Sequence, residues 1–217
     1  TSSGINIILA VDLSESMKAL DFKHQGGVVN RLDAVKHVVR KFIANRSGDR
    51  IGMVVFGSQA YTQLPLTRDY NTIATMLERL RIGTAGRATA IGDALGISLK
   101  RLEDVESRSN IIILLTDGRS NRGELDPMAA AAIAQRKGVK VYTVGVGSRG
   151  RVPVPVDDPV FGKRYVHQRV DIDEKTLQAI ADETGGLYFR AENMDRLKEI
   201  YASIDQLEKT DVKTKVF

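Results

Sequence analysis

The sequence contains no cysteine and no tryptophan, and it lacks several patterns that would assign it to a special class of protein. Without cysteine there is no disulfide framework, no thiolate metal site and no cysteine nucleophile. The apolar runs stay well short of the ~20 residues that a membrane-spanning helix needs, and no signal peptide is visible. The 217 residues, 42% hydrophobic and 27% charged, are typical of an ordinary water-soluble protein, and this length predicts one domain.

Basic residues outnumber acidic ones by 32 to 27, which gives a formal net charge of +5. The two signs are interleaved, so the chain has neither a basic run nor an aromatic platform beside one. This pattern is typical of a solvated surface, whereas a nucleic-acid-binding protein concentrates its positive charge. We therefore expect no nucleic-acid partner, although the excess positive charge would suit an anionic membrane surface.

The chain is organised around a short apolar stretch, residues 5–11, with the sequence Ile-Asn-Ile-Ile-Leu-Ala-Val. Such a short run, rich in β-branched residues, is typical of a strand buried on both faces of a parallel sheet. It ends at Asp12, and the hydroxyl side chains of Ser14 and Ser16 follow. Because open α/β sheets bind ligands at the carboxyl ends of their strands, these three oxygen donors indicate a site for a hard cation such as Mg²⁺.

Strand and helix patterns alternate along the rest of the chain. Strands are predicted at 51–56, 60–64, 110–116, 139–145 and 187–189, and helices at 32–43, 71–80, 91–102, 127–137, 173–184 and 193–207. Residues 18–30 are predicted to form a loop. The alternation predicts an α/β fold with a doubly wound, mostly parallel six-stranded sheet, in which the 60–64 strand is an antiparallel edge.

One segment interrupts this alternation, residues 149–171, which hold three of the five prolines. It is too long for an ordinary connection, and it should overhang the same edge of the sheet as Asp12 because it follows the carboxyl end of a strand. Two interpretations stay open, a functional loop and a structural hairpin that covers an edge. The domain prediction is a single domain over residues 1–217, with an inserted loop or hairpin at about 149–171.

The two most hydrophobic predicted strands each end in a carboxylate, the first at Asp12 and the fourth at Asp117. If these strands are neighbours, the two carboxylates share one crevice, and a cation is needed to offset the repulsion between buried like charges. Ser14 and Ser16 can supply oxygens to that cation, and Thr89, in a loop of small residues, can add a third hydroxyl.

These residues resemble the three parts of the metal-ion-dependent adhesion site of von Willebrand factor type A domains. The parts are Asp-Leu-Ser-Glu-Ser at 12–16, Thr-Ala-Ile-Gly-Asp at 89–93 and Leu-Leu-Thr-Asp-Gly at 114–118. The resemblance implies that one divalent ion is surrounded by a set of five side chains, Asp12, Ser14, Ser16, Thr89 and Asp117. It also implies Mg²⁺ or Mn²⁺ in preference to Ca²⁺.

Longer stretches are similar, more narrowly, to the bacterial aerotolerance proteins of the BatA and BatB type. They include Arg-Ile-Gly-Met-Val-Val-Phe-Gly at 50–57, Tyr-Thr-Gln-Leu-Pro-Leu-Thr at 61–67 and Val-Tyr-Thr-Val-Gly-Val-Gly at 141–147. This similarity implies an inner-membrane protein whose membrane segments lie outside this chain and whose domain is periplasmic. It further implies a MoxR-type AAA+ ATPase or sibling Bat proteins as partners.

The resemblance implies recognition without catalysis, because the ion accepts an Asp or Glu carboxylate of a protein partner as its last ligand. Five charged side chains near the site are predicted to contact that partner, namely Glu15, Arg87, Arg119, Arg149 and Arg151. Glu15 and Ala88 stand where the family often has glycine, which would cost energy if either backbone position needs a positive φ. We expect the Glu15 side chain to point into solvent.

Two alternatives to metal-bridged recognition stay open, a scaffold that does not depend on metal and a metal-dependent hydrolase. The three histidines are predicted to be dispersed, with His37 at the surface of the first helix, and none has an evident nucleophile beside it. A glycine pattern at 145–150 follows a strand, but Val-Pro-Val-Pro comes next and cannot open the helix of a dinucleotide site. We predict that the domain is not an enzyme.

Overall fold

The structure is a computed structural model that describes residues 4–214 and the side chains of residues 4–209. Residues 1–3 and 215–217, which the domain prediction includes, lie outside the described residues. The strands are β1 (Asn6–Asp12), β2 (Phe22–His24), β3 (Gly27–Val29), β4 (Arg50–Phe56), β5 (Ala60–Thr67), β6 (Asn110–Thr116), β7 (Lys140–Val146), β8 (Arg151–Asp158), β9 (Gly162–Arg169) and β10 (Tyr188–Ala191). The helices are α1 (Arg31–Ala44), α2 (Tyr70–Arg79), α3 (Ile91–Glu103), α4 (Pro127–Arg136), α5 (Glu174–Thr184) and α6 (Met194–Thr214), and a short 3₁₀ helix covers Glu15–Lys18.

Six strands form the central sheet in the order β10-β7-β6-β1-β4-β5. All neighbouring pairs are parallel except β4 and β5, which are antiparallel. This order confirms the predicted doubly wound α/β fold with one antiparallel edge strand. β1 lies in the middle, between β6 and β4, and all seven of its residues are buried.

Helices cover both faces of the sheet, which explains why its central strands are apolar throughout. Alternate β1 residues enter two separate apolar layers, Leu9 and Val11 in one and Ile8 and Ala10 in the other. The first layer is completed by α1, α2 and α6, and the second by α3, α4 and α5. A strand with apolar neighbours on both faces takes apolar residues at successive positions, so its sequence shows a run instead of an alternation.

The segment between β1 and α1 differs from the predicted loop. It contains the 3₁₀ helix and the antiparallel hairpin of β2 and β3, whose turn places Gln25 at φ 49° and Gly26 at φ 79°. Each of these strands has three residues, of which most are exposed or half-buried. Strands this short carry no detectable hydrophobic period.

This hairpin also corrects the prediction of dispersed histidines. It brings His24 against His37 of α1, with the ring centroids 4.2 Å apart, so these two histidines meet. The His37 ring is half-buried, not a surface group, and its Nε2 is buried without a hydrogen-bond partner. Burial and the neighbouring His24 lower the pKa of His37 below its usual value.

Candidate metal centre

The carboxyl ends of β1 and β6 lie side by side in the middle of the sheet. Their parallel register pairs Val11 with Leu115, so Asp12 and Asp117 both follow the last paired residues. Both carboxylates are fully buried. The two central strands therefore deliver their acidic side chains to one edge of the sheet.

The loop after β1 is fixed by two apolar anchors, one on each side of its hydroxyl residues. Leu13 is buried and donates its N–H to the carbonyl of Phe56 at 2.8 Å, and Met17 is buried within the 3₁₀ helix. With Leu13 and Met17 held in the core, the side chains of Ser14 and Ser16 lie at the edge of the sheet. The pattern of this short segment thus sets where its hydroxyls lie.

A continuous chain of hydrogen bonds joins four of the predicted donors. The Thr116 hydroxyl donates to Oδ2 of Asp12 at 2.7 Å, and the Ser14 N–H donates to Oδ1 of Asp12 at 2.8 Å. The hydroxyl oxygens of Ser14 and Ser16 are 3.1 Å apart, and the Ser16 hydroxyl donates to Oδ1 of Asp117 at 2.6 Å. Four side chains from two distant segments therefore form one cluster.

Thr89, the fifth predicted donor, lies in the loop before α3 and faces Gly118. A β-carbon at Gly118 would come within 3.3 Å of the Thr89 hydroxyl oxygen. Asn121 holds this loop in place, since the Thr89 N–H donates to Oδ1 of Asn121 at 2.9 Å and the Asn121 N–H donates to the Thr89 carbonyl at 3.1 Å. All three parts of the predicted site accordingly meet at one edge.

The donor set suits a small hard cation. Adjacent oxygen ligands of an octahedral Mg²⁺ lie about 3 Å apart, because each is ~2.0–2.1 Å from the ion, and the 3.1 Å between Ser14 Oγ and Ser16 Oγ fits that spacing. Within residues 4–209, no three His, Cys, Asp or Glu side chains converge. The site thus combines two carboxylates with hydroxyls, and an ion held there would need water or a partner to complete its ligands.

Arg31, which the sequence analysis did not single out, lies against the same site. It follows the α1 cap Asn30 and is buried, and its Nη1 donates to Oδ2 of Asp117 at 2.9 Å. Its Nε and Nη2 donate to the carboxylate of Asp21 at 2.7–3.2 Å. The sequence analysis expected a metal ion to offset the charge of the two buried carboxylates. In the structure, the Arg31 guanidinium offsets part of that charge.

Burial controls the ionisation of the two acidic ligands. Loss of water raises the pKa of Asp12 above its usual value, and the charge of Asp117 raises it further. Burial also raises the pKa of Asp117, against the opposing effect of the Arg31 guanidinium. A divalent ion would favour the ionised form of both groups, so its binding competes with protons.

The two departures from the family pattern fit the backbone without strain. Of the non-glycine residues that the structure describes, Gln25 alone has a positive φ, so neither Glu15 nor Ala88 needs glycine. The Glu15 carboxylate pairs with Lys18 at 2.6 Å, and its side chain is 37% exposed. Glu15 therefore lies along the protein surface with an ionic partner instead of extending freely into solvent.

The four predicted partner-contacting arginines are all exposed. Arg87 and Arg119 lie on the loops that carry Thr89 and Asp117, two residues from each. Arg149 pairs with Glu192 at 2.8 Å, and Arg151 begins β8. The arginines belong to two groups, one next to the donor set and one at the base of the 149–171 segment.

The 149–171 segment forms the two-stranded antiparallel hairpin of β8 and β9. Val152 and Val154 of β8 pack on Ala19, and the Leu20 N–H donates to the carbonyl of Pro153 at 2.8 Å. At the base of the hairpin, the N–H and hydroxyl of Ser148 donate to Asp21 at 2.9 and 3.0 Å. Asp21 also accepts hydrogen bonds from Arg31, which pairs with Asp117. The hairpin is therefore connected to the metal-site cluster, by which we mean the hydrogen-bonded donors together with Arg31 and Asp21.

Similarity to known structures agrees with this architecture. BatB from Bacteroides thetaiotaomicron is 30% identical, with a TM-score of 0.80 over 95% of this chain and 100% of that chain. An aerotolerance-related membrane protein from Bacteroides fragilis is 29% identical, with a TM-score of 0.78 over 94% of this chain and 98% of that one. Proximal thread matrix protein 1 from the mussel byssus, solved with a zinc-occupied metal-ion-dependent adhesion site, shares the fold at 20% identity and a TM-score of 0.71, covering 95% of this chain and 46% of that one.

The chain spans 54–62% of the length of the curated bacterial relatives that it matches. None of the helices in the described part of the chain is long and apolar enough to cross a membrane. The family model of the von Willebrand factor type A domain matches residues 6–203. The chain belongs to the von Willebrand factor type A domain family, and within it resembles the Bat-type aerotolerance proteins.

Proposed function

We propose that this domain binds a protein partner through a divalent ion at the carboxyl edge of its sheet. The observation that carries the proposal is the convergence of two buried carboxylates and three hydroxyls from three separate segments. Two buried carboxylates repel each other and destabilise the folded state unless a cation offsets their charge. This arrangement is suited to an ion that takes an Asp or Glu carboxylate from the partner.

The structure suggests different roles for the five donors. Ser14, Ser16, Thr89 and Asp117 would hold the ion directly. Asp12 accepts hydrogen bonds from the Ser14 N–H and the Thr116 hydroxyl, and we propose that it supplies negative charge and orients Ser14. When bound, the ion would supply a Lewis-acidic position that attracts an anion, and we propose Mg²⁺ or Mn²⁺ because the donors are hard oxygens.

Recognition is favoured over hydrolysis by what surrounds the donors. The protein groups that contact them include the Arg31 guanidinium and the Thr116 hydroxyl, and neither is a base that would activate water at neutral pH. His24 and His37 contact each other, and His167 lies on the exposed strand β9. We therefore propose a role without catalysis.

A scaffold that does not depend on metal is the second candidate, because the Arg31–Asp117 ion pair already offsets part of the buried charge. The two candidates differ in what Thr89 contributes. Thr89 is held by hydrogen bonds of its backbone N–H and carbonyl with Asn121, so Thr89→Ala would remove a proposed metal ligand and disturb little else. The variant Thr89→Ser keeps the hydroxyl and is the matched control.

The test measures Mg²⁺ and Mn²⁺ binding by calorimetry and then partner capture from bacterial membrane extract, with Mg²⁺ or with EDTA. We expect wild type and Thr89→Ser to bind metal and to retain a partner only with Mg²⁺, while Thr89→Ala does neither. A partner that all three proteins retain equally in EDTA would exclude metal-bridged recognition and favour the scaffold.

Similarity to Bat-type proteins supports further parts of the proposal. One similar protein is described as an aerotolerance-related membrane protein, which supports a membrane-anchored parent protein. We propose that this parent lies in the inner membrane and that the domain is periplasmic. A MoxR-type AAA+ ATPase and sibling Bat proteins are the proposed partners. Cross-linking of the full-length protein in intact cells, followed by mass spectrometry of the captured proteins, would test this proposal. Capture of these proteins would support the proposed partners, and capture of other proteins in their place would contradict them.

A further inference from the structure

Strand β9 is an exposed edge of the molecule. All eight of its residues are exposed, and its neighbour in the described sheets is β8 on one side. An edge strand presents unpaired main-chain N–H and C=O groups, to which another extended segment can pair.

The contact between β8 and the core shows which groups of β9 point outward. The Leu20 N–H donates to the carbonyl of Pro153, so Pro153 directs its main-chain groups away from β9. In an antiparallel ladder, directly opposed residues point their main-chain groups either toward each other or both away. Because Pro153 is opposite His167 and Pro155 is opposite Tyr165, the groups of His167 and Tyr165 point to the free edge. The same alternation applies to Lys163 and Arg169.

The two edges of this hairpin differ in their ability to accept a strand. On β8, the outward positions include Pro153 and Pro155, which have no N–H to donate, and Val152 and Val154 pack on Ala19. Proline at such positions blocks strand addition. β9 has no proline, so its outward N–H groups are available for pairing.

Charge indicates which segment would add to this edge. Side chains of opposed residues share a face, and the face that contains Tyr165 carries three cations, Arg151, Lys163 and Arg169, against one acid, Asp157. Arg169 also pairs with Asp171 at 2.9 Å, just beyond the strand, and the face remains net positive. A second copy of β9 would place like charges opposite each other, which disfavours self-association. An acidic segment would be complementary.

We propose that the free edge of β9 binds an extended, acidic segment of a partner protein as an added strand. Main-chain hydrogen bonds would supply affinity and the cationic face would supply selectivity, as in other β-strand additions. The inference rests on the proposed function in one respect, that this segment belongs to the partner whose carboxylate reaches the metal ion. The contacts of β8 with Ala19 and Leu20, which follow Ser16 in the chain, place the hairpin next to the metal site.

A peptide of alternating Glu and Val provides a direct probe, and the same peptide with Lys in place of Glu provides its control. We expect the acidic peptide to slow hydrogen exchange at the amides of Lys163, Tyr165, His167 and Arg169, measured by NMR. The intervening amides of Arg164 and Val166 already face β8 and should change little. Equal binding of the Lys peptide, or no binding at millimolar concentration, would overturn the proposal.

Two variants at one position separate the main chain from the side chain. Tyr165→Pro removes an outward N–H at a position equivalent to those that β8 fills with proline, and should weaken the acidic peptide about tenfold or more, as expected from losing a main-chain hydrogen bond and blocking the edge. Tyr165→Thr keeps the N–H and should bind within about threefold of wild type, since side-chain contacts at such sites are secondary to main-chain pairing.

Repeating the titration in EDTA and with Thr89→Ala distinguishes this inference from the proposed function. Binding that survives EDTA and Thr89→Ala but is lost in Tyr165→Pro supports strand addition at β9. Binding that is lost in EDTA and is unchanged in Tyr165→Pro overturns strand addition and leaves the metal site as the point of attachment.

Discussion

The metal-site cluster and the β8–β9 hairpin lie next to each other but are built on opposite principles. The cluster joins residues far apart in the chain, such as Ser16 and Asp117, which are 101 positions apart, and its carboxylates are fully buried. The hairpin joins near neighbours, and β9 is exposed along its whole length. Hydrogen bonds and burial therefore fix the side chains of the cluster, whereas the hairpin can change its surface without disturbing the core.

Breaking the buried ion pairs of the cluster should have the largest effect on stability. Arg31→Met leaves the carboxylates of Asp21 and Asp117 without their cation, and removing one partner of a buried pair costs about 3–5 kcal/mol. The free energy of unfolding should be measured with urea in EDTA. Mg²⁺ should restore part of the loss, because the ion can replace the missing charge beside Asp117.

The control for Arg31→Met is Arg40→Met, on the exposed side of the same helix. Arg40 pairs with Glu78 where both side chains are about half exposed, and an exposed pair is worth ~0–1 kcal/mol. Similar losses in the two variants would contradict the assignment of Arg31 as a buried structural cation.

Removing the metal should have the next largest effect. A ligand present at 100 times its dissociation constant stabilises the folded state by about 2.7 kcal/mol, so the thermal midpoint should fall on addition of EDTA to the Mg²⁺-saturated domain. The variant Ser16→Ala, which loses a proposed ligand, should show no such difference. If both proteins respond equally to EDTA, the ion binds elsewhere.

Asp117→Ala should remove the metal site while the domain stays folded. It leaves the Ser16 hydroxyl and one Arg31 nitrogen without their acceptor, at a cost of about 1–3 kcal/mol. Arg31 keeps its pairing with Asp21, and the repulsion between two buried carboxylates is relieved. Circular dichroism should show a native spectrum and calorimetry no heat of Mg²⁺ binding. Global unfolding of this variant would contradict the location of Asp117 outside the apolar layers.

The sheet could be predicted from the sequence because strands that are buried on both faces consist mainly of apolar residues, and such runs are recognisable. Strands β1 and β6 have apolar layers on both faces, so residues 7–11 and 111–115 each appear as an uninterrupted apolar run. The β2–β3 hairpin has no recognisable sequence pattern, since its strands are three residues long and its turn contains Gln25 in the left-handed region. The meeting of His24 and His37 depends on that hairpin and was missed with it.

The same difference applies to the site. Its five predicted donors follow strands or loops with recognisable motifs, and the structure brings those residues together. Arg31 carries no such signal, because an arginine in the first turn of a helix is ordinarily solvent-exposed. Its role depends on Asp117, 86 residues away, and on Asp21 in a segment that was predicted to be a loop. Contacts of this kind come from the tertiary fold, and no local pattern reports them.

The smallest effects are expected in the hairpin, where one strand is anchored and the other is free. Val154 is 5% exposed and packs on Ala19, so Val154→Ala should cost about 1–2 kcal/mol for two lost methyl-sized groups. Phe161, in the turn, is 73% exposed, and Phe161→Ser should change the free energy of unfolding by less than about 0.5 kcal/mol. Neither variant should alter Mg²⁺ affinity, because neither residue contacts a donor. If Phe161→Ser proved as costly as Val154→Ala, the tip of the hairpin would be packed in solution, which would contradict the difference between its anchored and its free strand.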